Sequence, residues 1–307
     1  MNYENNIGLC FSANYLKQGS NSEKCKLANK NHISNISLKV REDKNIINYS
    51  ENSKLFNGNI IYSLPSISYN LNNQKKIENI ISDLVENKVK MITINPTNLI
   101  LSDYEWSTDE EKETIFKNIT ESIASLVSNK IIVALENPID KKDKIYFGHD
   151  IEEMTDIFVH VRKILVEEYK FTEEEVHKYF RICLNTEKLS ETDMDKWVSS
   201  FNDAISIIKI KRNNKFDFIV NYIKTNKLNE DLIILLNTNS DLEDVINEYE
   251  DFKSNFSVKK KKTKKMQKNK DIKKDNSSDK YANMVQMGII IITIFIIILM
   301  IYVKFKS

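Results

Sequence analysis

Glycine, proline and cysteine are all scarce in this chain. Its 307 residues include 5 Gly, 3 Pro and 3 Cys. So little glycine and proline excludes the collagen-like, glycine-linker and proline-rich classes. The cysteines, Cys10, Cys25 and Cys183, are odd in number and lack CxxC spacing, so neither a disulfide framework nor a zinc finger is predicted. A reducing compartment is the simpler interpretation.

The net charge of the whole chain is close to zero, but the charges are unevenly distributed. Residues 259–307 contain 13 of the 45 Lys and Arg residues and only 3 of the 44 Asp and Glu residues. Residues 1–258 therefore carry a net charge of about −9, and the remainder carries about +10. Because an acidic body repels the phosphates of nucleic acid, DNA binding is not expected of it.

One long apolar run lies near the C-terminus. Residues 284–303 are interrupted only by Gln286, Thr293 and Tyr302, and about 20 residues is the length that spans the hydrocarbon of a bilayer. The run has no polar face and is flanked by lysines, which favours a transmembrane helix over a buried core helix. Residues 304–307 would form a short tail beyond it.

The lysines before this run predict its orientation. Ten lysines lie in residues 259–274, far more than follow the span, so the positive-inside bias keeps the body in the cytosol. No signal-peptide pattern opens the chain, which predicts a single-pass, tail-anchored membrane protein. Residues 257–283 would be a polybasic linker that either fixes topology alone or binds anionic lipid. Its leading lysines are Lys259, Lys260, Lys261, Lys262, Lys264 and Lys265.

Eight short apolar runs rich in β-branched residues recur through the body and predict strands. They are Ile7–Ser12, Ile33–Val40, Asn59–Leu64, Lys90–Ile94, Lys130–Leu135, Tyr179–Leu184, Ala204–Ile210 and Asp231–Leu236. Several intervening stretches have helical periodicity. Eight strands alternating with helices over residues 1–256 predict an α/β fold, a (β/α)8 TIM barrel, with a doubly wound open sheet as the alternative.

Two kinds of local signal indicate where the helices lie. Apolar residues fall on one helical face at Ile77, Ile80, Ile81, Leu84 and Val85, and again at Met154, Ile157, Phe158, Val161 and Leu165. Ser107 with Glu110, and Thr172 with Glu175, have the spacing of capping boxes.

In a TIM barrel the chemistry belongs at the C-terminal ends of the strands, so the residues there are the candidate site. They are Cys10, Leu64, Asn95, Glu136, Asn185, Lys188, Lys209 and Asn237. This set lacks convergent histidine and aspartate. The four histidines, His32, His149, His160 and His177, fall in predicted helices or connections, where packed or solvated roles are the default.

Seven short motifs follow one another in an order that resembles the endonuclease IV family of apurinic/apyrimidinic endonucleases, TIM barrels related to the xylose-isomerase-like group. The motifs resemble the family's "IGAHVSA", "xINL", "xHPG", "LENT", "VCIDT", "xHLN" and "LETP". They lie at Ile7–Ala13, Tyr69–Leu71, Ile94–Pro96, Leu135–Pro138, Ile182–Thr186, Ile208–Lys211 and Leu236–Thr238.

The resemblance implies a zinc cluster that activates water against a phosphodiester, but the ligand residues are replaced. Where the family has histidine, this chain has Cys10, Leu64, Asn95, Lys188 and Lys209. Asn185 and Asn237 replace carboxylates, and Glu136 alone keeps one. One carboxylate cannot hold a divalent cluster, so neither a metal nor another cofactor is predicted. Lys209 or Lys188 could pair with Glu136, or could face solvent.

Three functions follow as hypotheses. The first is an inactivated AP endonuclease-like barrel, not an enzyme, anchored in a membrane and used as a structural or binding protein with an unidentified protein partner. If the chain is viral, its membrane would be that of the virion. The second is an active hydrolase or lyase with Glu136 as general base, close to Asn185, Lys209 or Asn237. The third is a membrane adaptor whose acidic body binds a basic partner.

Overall fold

Eight parallel strands form a closed barrel in the computed structural model of the chain. The strands are β1 (Ile7–Phe11), β2 (Asn35–Lys39), β3 (Asn59–Ser63), β4 (Met91–Ile94), β5 (Ile132–Glu136), β6 (Phe180–Asn185), β7 (Ile205–Lys211) and β8 (Ile233–Thr238). Each strand pairs with the next, and β8 closes the barrel against β1. The prediction of a TIM barrel is confirmed, and the open-sheet alternative is wrong.

The structure describes residues 3–11, 18–40, 49–64, 66, 80–140, 144–213, 215–226 and 228–257. Its α-helices are Asn21–Lys30, Tyr49–Leu55, residues 80–86, Leu101–Glu105, Asp109–Ser128, Ile151–Glu167, Glu173–Tyr179, Glu191–Phe201, Phe216–Thr225 and Val245–Ser254, and a 3₁₀ turn covers Glu4–Asn6.

Several predictions concern the C-terminal part of the chain, which lies outside the described residues. The chain divides into one unit of residues 1–258 and another of residues 259–307. The second unit contains the predicted membrane span, the short tail and all six leading lysines of the linker. None of the helices in the described ranges is both long and apolar enough to cross a bilayer.

Side chains of the strands alternate between two hydrophobic clusters. The helix-side core lies between the sheet and the surrounding helices and includes Leu9, Leu38 and Leu135. The barrel interior is a smaller cluster made of Cys10, Ile61, Ala134, Cys183, Ile207 and Leu235. Because successive residues of a strand point to opposite faces, residues two positions beyond this interior cluster point into the carboxyl-end mouth of the barrel.

The capping predictions have different outcomes. Thr172 caps the helix Glu173–Tyr179 in a capping box with Glu175, as predicted. The box predicted at Ser107 and Glu110 is wrong by one residue, because Thr108 and Glu111 make it. Ser107 is engaged elsewhere: its hydroxyl donates to the Asp103 carbonyl of the preceding helix at 2.9 Å.

The helix Ile151–Glu167 buries the five apolar residues whose spacing predicted it. Its aromatic residue Phe158 stacks on Phe180 at the start of β6, with 4.6 Å between ring centroids. This packing fixes the helix against the strand that leads to Asn185.

Candidate active site

A layer of polar side chains lies above the apolar barrel interior, at the C-terminal ends of the strands. Strand alternation directs its members into the mouth. These inward-facing residues are Lys39, Ser63, Thr93, Glu136, Asn185, Lys209 and Asn237. Active sites of TIM barrels lie at this end, so this layer is the candidate active site.

The centre of the layer is a buried ion pair between Glu136 and Lys209. The Lys209 ammonium lies 2.5 Å from Oε2 of Glu136. The side chain of Lys209 is 3% exposed and that of Glu136 is 11% exposed. A small part of the carboxylate therefore faces solvent, while the ammonium is enclosed.

Each partner of the pair is held by a second hydrogen bond. Asn185 Nδ2 donates to Oε1 of Glu136 at 2.9 Å, and Lys209 Nζ donates to Oγ1 of Thr93 at 3.2 Å. Both carboxylate oxygens therefore accept from fixed donors, one on β6 and one on β7. A lysine ammonium has three donor hydrogens, and these two contacts use two of them.

Asn185 is itself fixed by its neighbour on β5. Its backbone N–H donates to Oδ1 of Asn137 at 2.7 Å, and Nδ2 of Asn137 donates to the Asn185 carbonyl at 3.1 Å. This reciprocal pair is buried and ties the ends of β5 and β6 together. The rotamer of Asn185, and with it the orientation of Glu136, is thereby constrained.

Lys209 is a permanent cation in this site. Burial alone would lower its pKa, but the attraction of the Glu136 carboxylate outweighs burial and holds the pKa above its usual value. A lysine that stays protonated is no base or amine nucleophile at neutral pH. Its role is to hold negative charge in place.

The cysteines of the barrel interior are unreactive. Burial raises the pKa of Cys10 and raises that of Cys183 well above its usual value. Both are therefore protonated thiols at neutral pH, and the thiolate is the nucleophilic form. They form the floor of the site and do not attack substrate.

The structure locates every strand-end residue that the sequence selected. Glu136, Asn185 and Lys209 are in direct contact, and Cys10 lies in the floor below them. Asn237 points into the mouth from β8, and its Oδ1 is a buried acceptor without a donor. Three others lie outside this network: Asn95 is half-buried just after β4, Leu64 packs in the helix-side core, and Lys188 is exposed. Lys209, not Lys188, is thus the partner of Glu136.

The zinc cluster implied by the family resemblance does not fit these residues. Among the described residues of the mouth, the central carboxylate is neutralised by an ammonium 2.5 Å away, so a divalent cation there would meet positive charge. The groups nearby are amides, a hydroxyl and protonated thiols, none of which is an anionic ligand at neutral pH.

One group of metal-ligand types does occur elsewhere in the described residues, at His149, Asp150 and Glu153. Its atoms are already engaged: Glu153 Oε2 lies 3.0 Å from His149 Nδ1 and accepts from the Gly148 N–H at 2.8 Å. Asp150 caps the helix Ile151–Glu167. Capping of this helix explains the arrangement of Asp150 and Glu153.

Sequence reasoning missed Thr93 and Lys39. Both are inward-facing residues of predicted strands, and a strict count of alternation from Ile94 or Leu38 finds them. The strand-end search selected instead the positions where the resembled family has its zinc ligands, and neither Thr93 nor Lys39 is at one of them.

Comparisons with known proteins support the fold. No family model matches the chain, and no curated protein matches it by sequence. Solved structures do match. An AP endonuclease of family 2 from Brucella melitensis has a TM-score of 0.59 at 10% identity, covering 82% of this chain and 99% of that one. A 3-keto-D-glucoside 4-epimerase from E. coli has a TM-score of 0.53 at 12% identity, covering 82% and 98%.

An L-ribulose 3-epimerase is also similar, with a TM-score of 0.55 at 10% identity, covering 88% of this chain and 89% of that one. These matches show that the chain shares its TIM-barrel fold with these enzymes. At such low identity they do not single out the endonuclease IV family.

The prediction that the chain is not an enzyme is wrong. The solved structures that share its fold are named as epimerases and an endonuclease, and nothing in the described residues shows an inactivated site. The replaced zinc ligands are not vacant positions: Lys209 and Asn185 hold Glu136 in a fixed, hydrogen-bonded arrangement.

Proposed function

We propose that the barrel is an enzyme that moves a proton at a carbon next to a carbonyl group, as in the isomerisation, epimerisation or elimination of a sugar. Glu136 is the general base and Lys209 is the fixed cation. The observation that carries the proposal is the buried contact of 2.5 Å between these two groups at the carboxyl end of the barrel. The epimerases among the similar structures support the choice of sugar chemistry.

The charges balance in such a step. When Glu136 takes the proton, its negative charge is lost while the substrate oxygen becomes negative. Lys209 then has an oxyanion as its counterion in place of the carboxylate, so the cation always faces one negative charge. Because the ammonium is already fixed by Thr93, little reorganisation accompanies the transfer.

Asn185 is the positioning residue of this proposal. Its amide holds Oε1 of Glu136, so that the other lone pairs of the carboxylate point consistently into the mouth. A general base must lie within hydrogen-bond reach of the proton that it removes, and a fixed carboxylate meets that requirement better than a mobile one.

Solvent exchange tests the proposal directly. The full-length chain is incubated in D₂O with a panel of ketoses and aldoses, and loss of the C–H signal next to the carbonyl is followed by NMR. Glu136→Gln is expected to lower the exchange rate by about 10²–10⁴-fold, the usual contribution of a general base. Glu173→Gln is the matched control, because Glu173 pairs with Arg162 on the helical surface, away from the mouth.

Equal exchange by the Glu136→Gln and Glu173→Gln variants would exclude Glu136 as the base. Absence of exchange by the unaltered chain with every sugar would contradict carbonyl chemistry itself. Circular dichroism of each variant establishes that it is folded.

We also propose, from the sequence alone, that the chain descends from the endonuclease IV branch and is held in a membrane by residues 284–303, with the barrel on the cytosolic side. The apolar span and the lysines before it support the location. Replacing Ile294 and Ile297 by arginine adds about 2.5–3.5 kcal/mol per residue to the insertion free energy. The variant is expected in the soluble fraction after alkaline extraction of membranes, whereas the unaltered chain is expected in the pellet.

A further inference from the structure

The lysines in the described part of the mouth of the barrel differ in their partners. Two lysines of β7 are paired: Lys209 with Glu136, and Lys211 with Glu187, each at 2.5 Å. Lys39 at the end of β2 is exposed and makes no ion pair in the part of the chain that the structure describes. Within the described residues, Lys39 is therefore a lysine of the mouth without a carboxylate partner.

Strand geometry directs Lys39 toward the site and not toward the helices. Ile36 and Leu38 pack in the helix-side core, so the intervening and following residues, Ser37 and Lys39, face the opposite side of the sheet. In the pairing of β1 with β2, Ser37 lies opposite Cys10 of the floor. The positive charge of Lys39 also acts on Cys10 of the floor: it lowers the pKa of this thiol, against the larger rise that burial causes.

A second unsatisfied group lies on the other side of β1. Asn237 of β8 pairs in register with Cys10, and its Oδ1 is buried without a hydrogen-bond donor. A buried acceptor left without a donor is destabilising, and a donor supplied by a ligand removes that cost. A hydroxyl group supplies such a donor. The neighbouring strands β2, β1 and β8 thus contribute, in that order, the Lys39 cation, Cys10 of the floor and the Asn237 acceptor.

We propose that the substrate of the Glu136 site carries an anionic group, a phosphate or a carboxylate, that Lys39 binds, and a hydroxyl group that donates to Asn237. This inference rests on the proposed function, because it assigns the substrate class of the same site. A cation without a carboxylate partner attracts anions and orients them before the reaction. Lys209 cannot fill this role, since its charge already serves Glu136.

Anion binding to the full-length chain in neutral detergent tests the inference. Inorganic phosphate and acetate are titrated separately by calorimetry at physiological ionic strength, into the unaltered chain, Lys39→Gln and Lys54→Gln. Lys54 is an exposed lysine of the helix Tyr49–Leu55, which leads into the opposite end of the barrel, and is the matched control. Both variants retain the lysines of residues 259–274, so background binding to them is the same.

Lys39→Gln is expected to weaken binding about tenfold, and Lys54→Gln to leave it unchanged. If the effect appears with phosphate, the anionic group is a phosphate; if it appears with acetate alone, it is a carboxylate. Equal affinities in the two variants, or no binding of either anion to the unaltered chain, would overturn the proposal. Since Lys39 is exposed, its replacement leaves the core intact, and circular dichroism checks this.

The Glu136→Gln variant separates this inference from the proposed function. Removing the carboxylate frees the Lys209 charge, so phosphate is expected to bind more tightly while proton exchange is lost. If exchange persists but Lys39→Gln still weakens anion binding, the role of Glu136 is wrong and the anion site stands. If exchange is lost but Lys39→Gln binds anions like the control, the base is right and the substrate class is wrong.

Discussion

At the scale of single residues, burying the Glu136–Lys209 pair costs folding free energy, but the pair has a role in the proposed reaction. Two charges taken out of water are desolvated at a cost of several kcal/mol each, and their mutual attraction offsets this only when both are well hydrogen-bonded. Asn185 and Thr93 supply those additional bonds. Replacing a buried ion pair by apolar residues of similar volume is often neutral for stability, so the presence of charge here agrees with the proposed catalytic role.

Removing one partner of the pair is therefore expected to destabilise the protein strongly. Lys209→Met leaves a buried carboxylate without its cation and should lower the free energy of unfolding by about 3–5 kcal/mol. Adding Glu136→Gln to that variant should restore most of the loss, because the uncompensated charge is gone. Urea unfolding followed by circular dichroism measures both. A double variant no more stable than Lys209→Met would show that packing, not charge, accounts for the loss.

Stability above neutral pH is expected to reflect the buried thiols. Burial raises the pKa of Cys25 to about 12 from 9.0. The thiol stays protonated in the folded state while the unfolded chain releases its proton, so stability is lost as the pH rises from 9.0 toward 12. One such thiol contributes a slope of up to about 1.4 kcal/mol per pH unit.

Cys25→Ala should flatten that decline, although it lowers stability at neutral pH through the cavity that it leaves. Urea unfolding of both proteins at pH values of about 8, 9 and 10 gives the two slopes. Equal slopes would mean that other groups account for the alkaline loss.

The sequence led to part of the active site because residue type and strand end coincide at Glu136, Asn185 and Lys209. It could not decide between Lys188 and Lys209 as the partner of Glu136. That choice depends on alternation within β7, where Ile208 and Ile210 pack against the helices and so turn Lys209 inward. The prediction that the chain is not an enzyme fails for a different reason: the absence of one family's zinc ligands does not imply the absence of catalysis.

At the scale of secondary-structure elements, the strands could be predicted because each is a run of apolar, β-branched residues. The side chains of such a run are buried on both faces of the sheet. Each of the eight predicted runs overlaps a strand of the barrel, and β5 to β8 extend one or two residues beyond the predicted ends. Helix starts were less certain, because Ser107 and Thr108 are adjacent N-cap types and Glu110 and Glu111 are both acidic. Backbone geometry decided between them: Thr108 is extended, with φ −68° and ψ 163°, and Ser107 belongs to the preceding turn.

The two capping assignments make different predictions for alanine substitution. Thr108→Ala should lower the free energy of unfolding by about 1 kcal/mol, because the Glu111 N–H at the start of the helix Asp109–Ser128 loses its acceptor. Ser107→Ala removes only an exposed hydrogen bond and should change stability by less than about 0.5 kcal/mol. Urea midpoints of the two variants measure the difference. A larger loss of stability for Ser107→Ala than for Thr108→Ala would support the capping box predicted from the sequence.

At the scale of the whole molecule, closure of the barrel depends on a close approach between β1 and β2. Gly8 lies where an added Cβ would come within 2.1 Å of the Asn35 carbonyl oxygen. This is backbone, which cannot move aside without shifting the strand pair. Glycine is therefore required by the spacing of the barrel at this point.

Gly8→Ala is expected to lower the free energy of unfolding by about 1–3 kcal/mol, as overpacking does. Ile7→Val, the neighbouring position on the helix side, is the comparison and should cost about 0.5–1.5 kcal/mol through a lost methylene group. Thermal unfolding of both variants provides the test. A Gly8→Ala protein as stable as the parent would show that β1 can shift without opening the barrel.

The pairing of β8 with β1 also has a consequence for how the protein is made. The ribosome releases Ile7–Phe11 long before it has synthesised Ile233–Thr238, so the first strand waits for its last neighbour through most of translation. Until then the nascent sheet has two open edges, which are the places where β-proteins aggregate. A pause in synthesis before β8 has left the ribosome would prolong that exposed state, whereas a pause after β8 has emerged would give the barrel time to close before the apolar C-terminal segment emerges.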